Sequence, residues 1–427
     1  MHTIFALATA RGKSGVAVIR VSGSQAHDVA QFLAGHLPDP GRFALRKLKD
    51  TSGTVLDEAL VLRFDAPHSF TGEDVVELQV HGSIAIIRAI EASIAQSGLA
   101  RYAEPGEFTR RALLNGNLDL AQVEGLSDLI AAETESQRRQ AQALFSGALR
   151  VFSEECRRDL IRATALIEAT IDFADEEVPV DVSPEVGYLI AAVLGRIDEQ
   201  LKGSAAAERM RHGFEVAIIG PPNAGKSTLI NRIAGRDIAI TSDIPGTTRD
   251  VLEARVDVHG IPVTFLDTAG LRDAIDPIER IGVERAKERA READLRVHLI
   301  DGADALVYAD VGCSVDLVYH TKSDLTGRGL SAVTGDGIDG LLADIARVLS
   351  DRVSHASLAS HERHRMALFR ARDGLTVAQE IFGRGQEGSE ILALQLREAV
   401  AALDSLIGRV DVEAVLGEIF AQFCIGK

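Results

Sequence analysis

Gly220-Pro221-Pro222-Asn223-Ala224-Gly225-Lys226-Ser227-Thr228 fits the pattern G-x-x-x-x-G-K-[ST]. The apolar run Glu215-Val216-Ala217-Ile218-Ile219 before it reads as a buried strand. Leu229-Ile230-Asn231-Arg232-Ile233 after it reads as the first turns of a helix. That order has a chemical reason. Glycines let backbone N–H groups close around phosphate oxygens, and the helix N-terminus adds the positive end of its dipole. Lys226 is expected to reach the β- and γ-phosphates, and the Ser227 hydroxyl to bind Mg²⁺. Asn223, Ala224, Gly225 and Thr228 complete the candidate cradle.

Downstream motifs follow in the order a GTPase requires. Asp243-Ile244-Pro245-Gly246-Thr247-Thr248-Arg249-Asp250 is a loop, one of whose threonines is suited to complete the Mg²⁺ shell. The strand Val263-Thr264-Phe265-Leu266 ends in Asp267-Thr268-Ala269-Gly270. There Asp267 is expected to hold Mg²⁺ through water, and the Gly270 N–H to meet the γ-phosphate. The strand Leu317-Val318-Tyr319-His320 leads to Thr321-Lys322-Ser323-Asp324. The Asp324 carboxylate suits guanine's ring N–H and exocyclic amine, a pairing adenine does not offer. Ser331-Ala332-Val333 fits the backbone contact to the guanine carbonyl. Each short match is common by chance, whereas all of them in sequence predict a GTP-binding domain. Two positions depart from the pattern. Thr321 stands where an asparagine normally braces the loop and touches the base. Leu271 stands where Ras-type enzymes carry a water-orienting glutamine, so either hydrolysis is very slow or another polar residue takes that role, with candidates among the acids of Arg272 to Arg280.

A chain of 427 residues predicts two or three domains. Apolar residues at 46% and charged ones at 26% fit a globular protein, and a net charge of −17 disfavours a broad basic surface. Cys156, Cys313 and Cys424 make no C-x-x-C pair, which predicts a reduced, cytoplasmic setting rather than a disulfide framework. No apolar run approaches the roughly 18 residues of a membrane span.

Residues 1–115 read as α+β, with strands over Gly15–Gly23, Leu60–Phe64 and Val75–Val80 and a helix over Ile84–Ser97. Arg20 and Glu77 lie within apolar strands, either as outward charges of a half-solvated sheet or as the lining of a polar pocket. Helical periodicity runs from Leu118 to about Ile171 with a break expected near Ser146-Gly147. It continues over about 185–202 and returns after residue 355, over about 358–382, 389–407 and 411–421. The expected organisation is multidomain, combining α/β and all-α parts. An N-terminal α+β domain (1–115) precedes a helical bundle in two pieces (116–210 and 355–427). A Ras-like P-loop module with a parallel sheet (211–354) is inserted between them.

With these segments in hand, the chain resembles the MnmE (TrmE) family of tRNA-modifying GTPases along nearly its whole length. The resemblance is carried by Ile19-Arg20-Val21-Ser22-Gly23, Phe70-Thr71-Gly72-Glu73-Asp74 and Pro105-Gly106-Glu107-Phe108-Thr109-Arg110-Arg111-Ala112. Leu118-Asp119-Leu120-Ala121-Gln122, Asp243 to Asp250 and the terminal Phe423-Cys424-Ile425-Gly426-Lys427 complete it. It implies a homodimer that binds 5-formyl- or 5,10-methylenetetrahydrofolate in its N-terminal domain. It also implies a heterotetramer with an MnmG-like partner using FAD and NADH. Together the two put an aminomethyl or carboxymethylaminomethyl group on carbon 5 of the tRNA wobble uridine. By motif position Arg20, Glu77 and Lys427 match the family's folate contacts, while Asn117 stands where a folate-contacting lysine is usual. The resemblance further implies a K⁺ ion held by Asn223 and by the loop from Asp243 to Thr247. Thr248 then falls on Mg²⁺, Glu279 on the attacking water, and Cys424 on tRNA modification. The alternative is a GTP-driven RNA or ribosome assembly switch, which has no use for a folate site or a terminal cysteine.

Overall fold

In a computed structural model, the described residues are 2–172, 181–221, 223–236, 253–267, 288–289, 291–301, 315–383, 388–409, 420 and 426. The chain divides into two compact units, 1–127 with 404–427, and 128–403.

In the first unit β1 (Ile4–Leu7), β2 (Ser14–Ser22), β3 (Phe43–Lys49), β4 (Val55–Phe64), β5 (Val75–Gly82) and β6 (Arg101–Tyr102) form a six-stranded sheet. Its order is β3-β4-β5-β2-β1-β6. Side chains alternate between faces along each strand. Ala17, Ile19 and Val21 of β2 and Val76, Leu78 and Val80 of β5 therefore share one face. They pack against Val29, Ala30 and Leu33 of α1 (Ala26–Ala34) and Ile87, Ile90 and Ile94 of α2 (Ile84–Gln96). A second cluster joins Ile4 and Ala6 of β1 to Ala103 and to Phe108 of α3 (Glu107–Leu114), with Phe70 against it. Next comes α4 (Leu120–Ala131), opened by a reciprocal cap. The Gln122 N–H donates to Asp119 Oδ1 at 2.8 Å and the Asp119 N–H to Gln122 Oε1 at 3.0 Å, which explains the Asp-x-x-Gln spacing.

The second unit opens with α5 (Glu135–Phe145), α6 (Ala148–Asp172) and α7 (Ser183–His212). A five-stranded sheet follows, ordered β11-β10-β7-β9-β8. It consists of β7 (Phe214–Ile219), β8 (Glu253–Val258), β9 (Ile261–Asp267), β10 (Leu295–Asp301) and β11 (Leu317–Thr321). Among the described residues only the β8–β9 pair of this sheet is antiparallel. Its core is built with Leu229 and Ile233 of α8 (Lys226–Ala234) and with Ile345 and Leu349 of α10 (Ile338–Ser354). The short α9 (Ser323–Thr326) lies between β11 and α10 in the chain. The last helices are α11 (Glu362–Phe382) and α12 (Ser389–Leu406). α7 packs against α6 and α11, and Ser153 Oγ of α6 donates to the Leu403 carbonyl of α12 at 2.9 Å. Helices from both sides of the sheet module thus pack together. Among the described residues no helix is long and apolar enough to cross a membrane.

The helical tract beginning at Leu118 breaks at Ser146-Gly147 as expected, with Gly147 at φ 86°. It also breaks before Glu135, because Thr134 and Gln137 form a capping box. α7 extends ten residues beyond the expected end at 202. Gly203, just past the expected end, lies inside it. A Cβ there would sit 2.3 Å from the His355 carbonyl oxygen, so the glycine admits a neighbouring segment. The expected helix over 411–421 lies outside the described residues apart from Phe420.

Candidate functional site

β7 is buried on both faces, as a central parallel strand should be. The chain turns at Gly220 (φ 149°), where a Cβ would meet the Leu299 carbonyl oxygen at 2.5 Å, so only glycine lets the loop lie this close to β10. Asn223 (φ 64°) and Gly225 (φ 88°) then bend the backbone through the left-handed region, and α8 starts at Lys226. Lys226 is 7% exposed, and its Nζ donates to the carbonyls of Gly220 at 2.9 Å and Pro221 at 2.8 Å. The ammonium thus spans the start of the loop that is to hold phosphate. Ser227 follows in the first helical turn with Thr228 and Ala224 beside it, Ala224 fully buried.

Parallel pairing of β7 with β9 sets Asp267 opposite Ile218, at the same sheet edge as the loop. A serine hydroxyl and a carboxylate are the hard oxygen donors that suit Mg²⁺. His298 of β10, paired opposite Ile219, was not singled out from sequence although it interrupts an apolar strand. Its burial, with the Lys226 charge added, holds the imidazole below its ordinary range.

At the C-terminal end of β11, the same end of the sheet as the P-loop, the Leu330 N–H donates to the His320 carbonyl (2.8 Å) and the Ser323 N–H to the Leu330 carbonyl (3.1 Å). These bonds bring the Thr321–Asp324 segment beside Ser331 and Ala332. Thr321 is buried and its Oγ1 donates to the Ile300 carbonyl at 3.2 Å. Lys322 caps α9 at φ 61°, and Asp324 is exposed in α9. The Ser331 N–H is already given to the Asp336 carbonyl at 2.9 Å, which leaves the Ala332 N–H as the backbone donor for a base carbonyl. Asp243, Thr247, Thr248, Gly270, Leu271, Glu279, Cys424 and Lys427 lie outside the described residues.

In the first unit Arg20 and Glu77 are cross-strand partners in the β2–β5 register. The guanidinium bonds the carboxylate at 2.8 Å through Nη2 and 2.9 Å through Nε, and its carbon lies 5.4 Å from the Phe70 ring centre and 5.7 Å from that of Phe108. The two charges, which the sequence left as separate outward groups or as the lining of a polar pocket, form one ion pair flanked by aromatic rings. Asn117 Nδ2 donates to the Ser69 carbonyl at 2.9 Å, holding the loop that carries Phe70. Gly426 (φ 102°) lies so close to β1 that a Cβ would be 2.0 Å from the Leu7 carbonyl oxygen. Ala6, the preceding residue of β1, pairs with Arg20, so Gly426 lies against the strand next to the ion pair.

Sequence reasoning quoted two further motifs without seeing that they are halves of one network. Arg111, 2% exposed, donates to Glu73 Oε2 (2.8 Å), Glu107 Oε1 (2.9 Å) and the His2 carbonyl (2.7 Å). Ser22 Oγ also donates to Glu73 Oε2 at 2.8 Å, and Arg101 grips Glu107 with both terminal nitrogens. Burial pushes the Glu107 carboxyl up, but Arg101, the Glu104 N–H and Arg111 together hold it below the ordinary range.

A family model described as MnmE helical domain matches residues 120–424, and one described as GTP-binding protein TrmE N-terminus matches residues 3–117. The chain is 55% identical over 430 residues to the tRNA modification GTPase MnmE of Roseobacter denitrificans, and 55% identical over 428 residues to that of Jannaschia sp. Both alignments cover 100% of each chain. Among solved structures, Era in complex with MgGDPNP and a 16S ribosomal RNA segment aligns with 31% of this chain and 56% of its own. That alignment has 27% identity and a TM-score of 0.25, which adds nothing to the fold read from the strand order. Matches to both family models, together with identity that runs from end to end, mean that the chain belongs to the tRNA modification GTPase MnmE family.

Proposed function

We propose that this tRNA modification GTPase acts as a cytoplasmic homodimer with an MnmG-like partner that uses FAD and NADH. Together they add an aminomethyl or carboxymethylaminomethyl group to carbon 5 of the wobble uridine. The carbon comes from 5-formyl- or 5,10-methylenetetrahydrofolate. The observation that carries this reading is the Arg20–Glu77 pair beneath Phe70, with Asn117 and the Gly426 tail close by. A pterin ring offers N–H donors to a carboxylate, acceptors to a guanidinium, and a flat face to an aromatic ring. A switch that only changes shape needs none of these. Lys427 and Cys424 lie at the end of the same tail, where Lys427 adds a charge for the folate carboxylates and Cys424 serves the modification step.

In the GTPase module Ser227, Thr248 and Asp267 hold Mg²⁺, and Asn223 with the Asp243–Thr247 loop holds K⁺. Asn223 is exposed at the mouth of the loop, which suits an ion approaching from solvent. The cation supplies positive charge where the transition state gains negative charge. Glu279 orients the attacking water, since Leu271 has no polar atom for that task. The test is equilibrium dialysis of the full chain against 5-formyltetrahydrofolate. Retention that is lost in Arg20→Ala supports the reading, and absence of retention in the wild type favours the assembly switch.

A further inference from the structure

We infer that this GTPase recognises guanine by its Watson–Crick edge alone and does not read N7. The inference rests on the guanine site assigned to Asp324. Guanine N7 is purely an acceptor, so a protein reads it only by giving it a proton. An asparagine at the head of the motif has two amide protons, enough to brace the loop and to serve N7 as well. Thr321 has one hydroxyl proton. That proton is directed at the Ile300 carbonyl, 3.2 Å away, in a position 4% exposed.

Other donors nearby are committed or shielded. The Ser323 N–H goes to the Leu330 carbonyl, and the Leu325 and Thr326 N–H groups both go to the Lys322 carbonyl. The Ser323 hydroxyl is cut off from solvent. Among the described residues, the exposed Asp324 carboxylate and the Ala332 N–H are suited to meet a base. The first suits the ring N–H and exocyclic amine, and the second suits the carbonyl. All three of those base groups lie away from N7. Thr321 therefore sets specificity by omission: discrimination from adenine is kept while one contact to the base is given up.

The test compares nucleotide dissociation constants of the full wild-type chain for GDP, 7-deaza-GDP and IDP, by calorimetry. The expected result is that 7-deaza-GDP binds within about twofold of GDP, whereas IDP, lacking the 2-amino group, binds about tenfold or more weaker. In Thr321→Asn, GDP should bind tighter and 7-deaza-GDP should fall about fivefold behind it, as one neutral hydrogen bond predicts. A wild-type chain that binds 7-deaza-GDP more than about fivefold weaker than GDP overturns the inference and leaves the Asp324 assignment standing. IDP binding as tightly as GDP overturns the Asp324 assignment itself, and the inference with it.

Discussion

With Leu271 in the water-orienting position that the proposed function gives it, no polar atom of that side chain can act on the water, and the task falls to another residue. If Glu279 has that task, Glu279→Ala removes most hydrolysis while GTP affinity stays near the wild-type value, because the residue acts on water and not on nucleotide. Parallel losses in single-turnover rate and in affinity would refute the role. A different carboxylate is a stability element. Asp128 accepts from Arg211 Nε at 2.8 Å and lies 2.8 Å from His361 Nε2 in a half-buried cluster of the second unit. Burial pushes its carboxyl up, yet the His361 and Arg211 contacts outweigh burial and hold it below the ordinary aspartate range. A depressed carboxylate contributes stability above its unfolded value and loses it as pH falls through the lower folded value. Asp128→Asn should therefore cost about 3 kcal/mol at pH 7. Its stability should also fall less steeply than the wild type's in acid below the ordinary aspartate range, as urea midpoints across pH would reveal. The partners of these residues were the part hidden from sequence. Arg20 and Glu77 stood out as charges in apolar strands, but a register joining positions 57 apart is not written in local spacing. Thr321 and Leu271 were legible because a motif defines what should stand there.

Elements were legible where one period ran unbroken, and less so where a side chain interrupts it. The strand–loop–helix around Lys226 follows from an apolar run, glycines and a helical start, and the structure has it as expected. The β8–β9 hairpin was half seen, since only Val263 to Leu266 read as strand. Its turn residues His259 (φ 52°) and Gly260 (φ 87°) both occupy the left-handed region, the conformation a two-residue hairpin turn needs. Histidine is not the usual residue for that position, which is why the turn was overlooked. The hairpin links the Asp243–Asp250 loop to the Asp267 loop in the chain, and its tip is tied to α5. The Gly260 carbonyl accepts from the Ser136 N–H at 3.1 Å and from Ser136 Oγ at 2.6 Å. Ser136→Ala keeps the backbone bond and removes the other, so it should lower stability by about 1 kcal/mol. A chemical-denaturation midpoint identical to the wild type's would mean that the hydroxyl adds nothing to the backbone tie.

At the scale of the molecule, the two ends of the chain belong to one unit and the nucleotide cradle to the other. Phe420 packs with Leu120 and Val123, and it lies so close to Gly106 that a Cβ there would approach its ring to 2.9 Å. Gly426 reaches Leu7. Phe420 and Gly426 are therefore packed within the first unit, and both contacts depend on glycines at positive φ. Removing residues 420–427 exposes Leu120 and Val123 and strips the side of β1 next to Arg20, while the P-loop, Asp267 and Asp324 keep every bond described above. The truncated chain should then retain less 5-formyltetrahydrofolate in dialysis and leave the wobble uridine unmodified in cells lacking the full-length protein. Its GTP affinity and its hydrolysis per active site should match the wild type. A comparable loss of GTP hydrolysis would mean that the two activities are not divided between the units as the contacts divide them. Folate retention at the wild-type level would remove the tail from the site beside Arg20.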